Sequence, residues 1–124
     1  MLLIFSLFFT FSFSQTPSFT VYYFNAERSN EGEIAAAYDD FFEGVEFKSG
    51  GAYLERMDRG NVDGSHRLVR FGDTENWGLV ESKTREQWAK HMSDLDPLVE
   101  SRGPRYTGRI LGSNGVNPVT KPYI

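Results

Sequence analysis

The chain has 124 residues, 40% hydrophobic and 15% aromatic, which is enough apolar material for one packed domain and too much for a disordered one. Its 13 basic and 17 acidic residues leave a net charge of -4, which excludes a general phosphate-backbone binder. With no cysteine, a disulfide framework, a thiol nucleophile, an iron–sulfur cluster and thiolate zinc sites are excluded too; a metal site would have to combine two histidines with carboxylates.

Residues 1–14 carry no charge and have the length of a signal-peptide hydrophobic run, short of the roughly 20 apolar residues a membrane-spanning helix needs. Ser12 and Ser14 put small residues where a signal peptidase reads, so cleavage before Gln15 is expected, with residues 15–18 left as a short polar linker. That reading makes the protein secreted or periplasmic, with no stable membrane insertion after processing; without cleavage it is cytoplasmic.

Residues 19–26 are rich in aromatic and β-branched side chains. Phe19, Val21 and Tyr23 fall on one face and Tyr22, Phe24 and Ala26 on the other, so a central strand covered on both sides is predicted. A helix follows, with Asn30 as N-cap and Glu33 in capping-box position. Its apolar line runs through Ile34, Tyr38, Phe41 or Phe42, and Val45, and Ser49-Gly50-Gly51 ends it.

Residues 52–58 and 65–71 read as a hairpin with a long turn. His66, Leu68 and Arg70 share one face of its second arm, and Arg67, Val69 and Phe71 the other. A short strand is predicted over 77–81. Thr84 and Gln87 then form a capping box that opens a helix with an inward stripe of Trp88, Met92 and Leu95. Asp96-Pro97 restarts one turn, Gly103-Pro104 stops it, and residues 105–111 form the last strand. An extended arm over 113–124 is expected from its Gly, Asn and Pro content.

This order predicts an α+β fold of the ferredoxin-like βαββαβ plan, a sheet with both helices on one face, spanning 19–112. The other face would stay apolar and uncovered, which points to a homodimer. The strand from Phe19 to Asn25, the turn at Glu31-Gly32-Glu33 with its amphipathic helix, and the stretch from Ser82 to His91 with Trp88 together resemble the dimeric α/β-barrel superfamily. Its members include antibiotic-biosynthesis-type monooxygenases and stress-responsive barrel proteins. The resemblance implies two sheets packed face to face, a pocket between each sheet and its helices, and cofactor-independent oxygenase or isomerase chemistry. The haem-degrading branch of that superfamily carries an Asn, a Trp and a His. Asn25 matches the first, Val80 stands at the Trp position, and no His lies near Leu98, so haem degradation is not expected.

The candidate catalytic residues are Asn25, to hydrogen-bond a carbonyl or enolate, His66 as general base, and Arg70 to stabilise an oxyanion or carboxylate. Two of them have a structural alternative: Asn25 a turn cap, His66 a partner of Glu55 across the hairpin. Tyr22, Trp77 and Trp88 are candidate ligand-binding aromatics, against a core or dimer-seam role. His91 reads as a helix-surface residue, and Asp39, Asp40, Asp94 and Asp96 as solvated or capping carboxylates. No cofactor, phosphate-loop, dinucleotide or nucleophile-elbow motif occurs, and neither metal nor nucleic acid is called for. The expected function is binding of a small, largely apolar ligand with possible enzymatic use. The rival is a non-catalytic interaction protein whose sheet face drives self-assembly.

Overall fold

The computed structural model describes residues 17–60 and 63–112. The leader expected over 1–14 and the arm expected over 113–124 lie outside the described residues. The chain is α+β, in the order β1 (Pro17–Asn25), α1 (Glu31–Phe42), β2 (Gly51–Arg56), β3 (His66–Asp73), α2 (Arg85–Leu95) and β4 (Ser101–Arg109). The strands form one antiparallel sheet in the order β2-β3-β1-β4, compatible with a ferredoxin-like fold.

β1 lies between β3 and β4, as its two apolar faces require. Register divides the sheet cleanly. Phe19 pairs with Phe71, Val21 with Val69 and Tyr23 with Arg67 on one face; Thr20 pairs with Arg70, Tyr22 with Leu68 and Phe24 with His66 on the other. Both helices cover the second face: Ile34 of α1 and Leu95 of α2, each fully buried, meet Phe24 and Ala26, with Leu54, Tyr38 and Leu98 against them. Each such aliphatic burial contributes about 1.5–3 kcal/mol. No described helix is long and apolar enough to cross a membrane.

Several local expectations are met for stated reasons. Thr84 and Gln87 exchange both capping-box bonds, at 3.1 and 2.8 Å. The Asp96–Leu98 turn restarts with Pro97 in its first positions. Others are corrected. Asn30 precedes α1 without a side-chain cap bond; its amide reaches the Leu98 carbonyl at 3.4 Å instead. α1 ends at Phe42 because Gly44 takes a positive φ of 68°, well before Ser49. Residues 77–81 make no strand, only the Phe47–Leu79 bridge. The buried line of α2 is His91 and Leu95, while Trp88 and Met92 are 48% and 37% exposed. Finally, β4 begins at Ser101. Gly103-Pro104 does not precede the strand but forms a bulge inside it, where the register slips between Tyr22 and Phe24 and the missing proline N–H is tolerated.

Candidate functional site

Two constellations form on the helix-covered face, one at each end of β3. At its start, His66 is 1% exposed and stacks on Phe24 with ring centroids 5.4 Å apart. Its Nε2 lies 2.8 Å from Glu31 Oε2, and its Nδ1 lies 2.8 Å from Ser65 Oγ. The hydrogen bond from His66 holds the Glu31 carboxyl below its ordinary value, with Arg56 and Arg28 adding to the effect. Ionised Glu31 can only accept, so Nε2 carries the proton on that side. The partner is therefore Glu31, brought in by α1, and not Glu55, which binds Arg67. Arg56 donates to Glu31 at 3.2 Å and to Asp58 at 3.1 Å, which closes the network on the surface.

Asn25 belongs to this same end. Its Oδ1 accepts from the Ser65 amide at 3.1 Å, its Nδ2 donates to Ser101 Oγ at 3.0 Å, and its carbonyl accepts from the Glu100 amide at 2.8 Å. One side chain thus ties the end of β1 to the starts of β3 and β4. The structure brings Asn25 and His66 together through Ser65, with their polar atoms engaged inside the protein.

The far end of β3 is built differently. Arg70 stands about 13 Å further along the same face, four residues on at the usual strand rise. Its guanidinium lies between the rings of Phe47, at 4.7 Å, and Trp77, at 4.8 Å, and donates to the Gly51 carbonyl at 3.2 Å. It has no ion pair. Burial draws its proton affinity down and Tyr22 opposes that, but an arginine in a protein stays charged. The two rings are positioned by a knot of short bonds: Asp73 N–H donates to Ser49 Oγ, Ser49 Oγ to the Asn76 carbonyl, and Asn76 Nδ2 to the Asp73 carboxylate, at 2.8, 2.8 and 3.0 Å. The bridge from Phe47 to Leu79, with Lys48 N–H on the Gly78 carbonyl at 3.0 Å, holds the two segments side by side.

Next to Phe47 a cavity of about 180 Å³ opens between α1 and the β2–β3 side of the sheet. Tyr38 and Phe42 of α1 form its roof, Phe47 its end, and Ala52, Leu54 and Leu68 its floor; Asp39 is the one carboxylate on its lining. An apolar cavity near this size holds about one aromatic ring in other proteins, and this one is open on one side, so a second fused ring can project from it. Its floor continues in register from Leu54 and Leu68 to Tyr22 and then Arg105, whose guanidinium lies 6.0 Å from the Tyr22 ring centre.

The expected ligand-binding aromatics are dispersed. Tyr22 is 39% and Trp77 36% exposed, both near Arg70, whereas Trp88 packs on Phe41 of α1 at 4.8 Å. Among the described residues no ring contact joins Tyr22, Trp77 and Trp88 to one another. His91 is not a surface residue: it is buried, stacked on Phe41 at 4.2 Å and edge-on to Tyr38 at 5.0 Å, and its Nδ1 has no partner. Burial pushes its proton affinity below the ordinary histidine value. Asp40 and Asp94 clamp Lys90 at 3.1 and 2.7 Å, and Asp96 holds Arg102 at 3.1 Å. Of the pocket residues, Tyr38, Phe42 and Leu68 were read from sequence as face positions of a helix and a strand, not as a site, and Phe47 and Leu54 were not singled out; the early stop at Gly44 was the signal that freed Phe47 from the helix.

Fold and site define a small α+β domain with an apolar cavity between helix and sheet and an unpaired arginine beside it. No protein-family model matches the chain, and no curated protein matches it in sequence.

Proposed function

We propose that the chain is a small-molecule-binding domain whose ligand is compact, largely apolar and lodged between α1 and the β2–β3 side of the sheet. The observation that carries this reading is the cavity lined by Tyr38, Phe42, Phe47, Leu54 and Leu68, a concave apolar site with few polar groups at its margin. Oxygenase or isomerase chemistry asks for a base that faces the ligand. Asn25 and His66 spend their polar atoms on β-strand and helix anchoring, so the reading rests on binding, with Arg70 the one candidate beside the cavity.

The test uses 2-naphthol, a neutral bicyclic probe, titrated into the full chain and followed by amide and methyl NMR shifts. Saturable shifts at Leu54 and Leu68 are expected, and Ala35→Phe, which fills the cavity from α1, is expected to abolish them. Shifts elsewhere, or shifts that survive Ala35→Phe, overturn the reading.

The finer form of the proposal is a ferredoxin-like βαββαβ unit, exported after loss of residues 1–14, that pairs with a copy of itself as a dimeric α/β barrel. The strand order supports the first part. The second is supported by the sheet face that no described helix covers: Val21, Val69 and Phe71 are already buried there within the single chain, and the half-exposed Tyr106 beside them is what a second copy would cover. Sedimentation of the mature chain tests it: a dimer that Tyr106→Asp dissociates without loss of naphthol binding is expected, and a monomeric parent chain removes it.

A further inference from the structure

Arg70 is a cation that the described fold leaves without a carboxylate. It is half-buried, its guanidinium is wedged between two aromatic rings, and of its five N–H donors one reaches a backbone carbonyl. Other arginines of the described chain are treated differently: Arg28, Arg56, Arg67 and Arg102 each hold a carboxylate. Arginine cannot be neutralised, so this half-buried cation keeps donors that water or a ligand anion can take.

The surroundings extend the same sign. Arg105 lies over Tyr22 and has no ion pair among the described residues, and Tyr22 adjoins Arg70 diagonally across β1 and β3. The Thr20 and Thr107 hydroxyls, 3.2 Å apart, lie in the row that contains Arg70. The nearest carboxylate on the cavity is Asp39, and it comes from α1, on the roof side opposite the sheet that carries Arg70. The cavity shares the Phe47 ring with Arg70, and Ala52 on its floor is Arg70's register partner. An apolar body in the cavity therefore has one end beside an unpaired, ring-clamped guanidinium.

Resting on the binding reading above, we propose that the ligand is an acid: an apolar body in the cavity with a carboxylate at the Phe47 end, held by Arg70 and supported by Arg105. A planar guanidinium fixed between two rings offers a parallel pair of N–H donors that matches a carboxylate better than an ammonium would.

The experiment compares 2-naphthoate with its neutral isostere 2-naphthamide on the full chain, by calorimetry and by the same NMR shifts. The parent chain should bind the acid about tenfold or more tightly than the amide, the usual worth of a hydrogen bond to a charged group. Arg70→Gln, which retains a donor for the Gly51 carbonyl, should erase that preference by weakening the acid far more than the amide; Arg105→Gln should reduce it by a smaller factor. Equal affinity for acid and amide, with shifts at Leu54 and Leu68, overturns the acid and leaves the cavity reading standing. Absence of shifts for both probes overturns both. A preference that survives Arg70→Gln, or tighter binding of 2-naphthylmethylamine through Asp39, also overturns the assignment, and the parent-chain comparison holds even if a variant fails to fold.

Discussion

His66 and Arg70 point the same way from one strand, and the chain surrounds them in opposite fashion. Around His66, the start of α1 delivers Glu31, the hairpin turn delivers Ser65, and Phe24 stacks on the ring, so each polar atom of the imidazole has a partner. Around Arg70, the two loop segments deliver Phe47 and Trp77 and no carboxylate. The difference teaches where to look for function in a small sheet: a buried polar group that satisfies itself inside the fold stabilises it, whereas a half-buried charge left without a counter-ion beside a cavity is available to something else.

The contrast can be broken by substitution. His66→Ala empties a buried site, leaves Glu31 and Ser65 without their partner, and should cost about 2–4 kcal/mol in urea unfolding. Asn25→Ala removes two side-chain bonds that tie three strands together and should cost about 1–3 kcal/mol, with faster hydrogen exchange at the Ser65 amide. Acid should act on the paired end and on α2 in separate windows. Burial places His91 below its ordinary value of 6.5, so its share of stability is complete above that pH and declines as pH falls beneath it. Glu31 is held below 4.5 by His66, so its share is complete above 4.5 and is lost as pH falls through the lower folded value. His91→Leu should flatten the upper limb of an acid titration and Glu31→Gln the lower one. The smallest effect belongs to the unpaired end: Arg70→Met should change unfolding free energy by less than about 1 kcal/mol, in either direction, because no ion pair is lost.

What the sequence made legible follows the range of the interaction. β1, the hairpin and the Thr84–Gln87 box depend on neighbours a few residues apart, and their residue types name them. The Glu31–His66 bond joins positions 35 residues apart and carries no local signal, which is why Glu55, on the facing arm of the hairpin, looked the better partner, although the register sets it opposite Arg67. The face of α2 was ambiguous for a related reason. Trp88-Met92-Leu95 and His91-Leu95 both satisfy helical spacing, and only the position of α1, with Phe41 and Tyr38 against His91, selects the second. Arg70 was legible as a candidate because strand alternation puts it on the face of His66 and Leu68; its two aromatic neighbours come from loops that periodicity does not describe.

Gly103 and Pro104 have one more consequence. β4 is the outermost strand on its side of the sheet, a place where exposed backbone N–H and C=O groups could template a strand from another molecule and begin aggregation. Pro104 withholds an N–H there and the bulge throws the following residues out of step, while Arg102, Arg105 and Arg109 add like charge along the same strand. Growth of the sheet by strand addition is thereby blocked along β4, so a chain this rich in aromatic residues can remain dispersed at concentrations where an unbroken border would nucleate fibres.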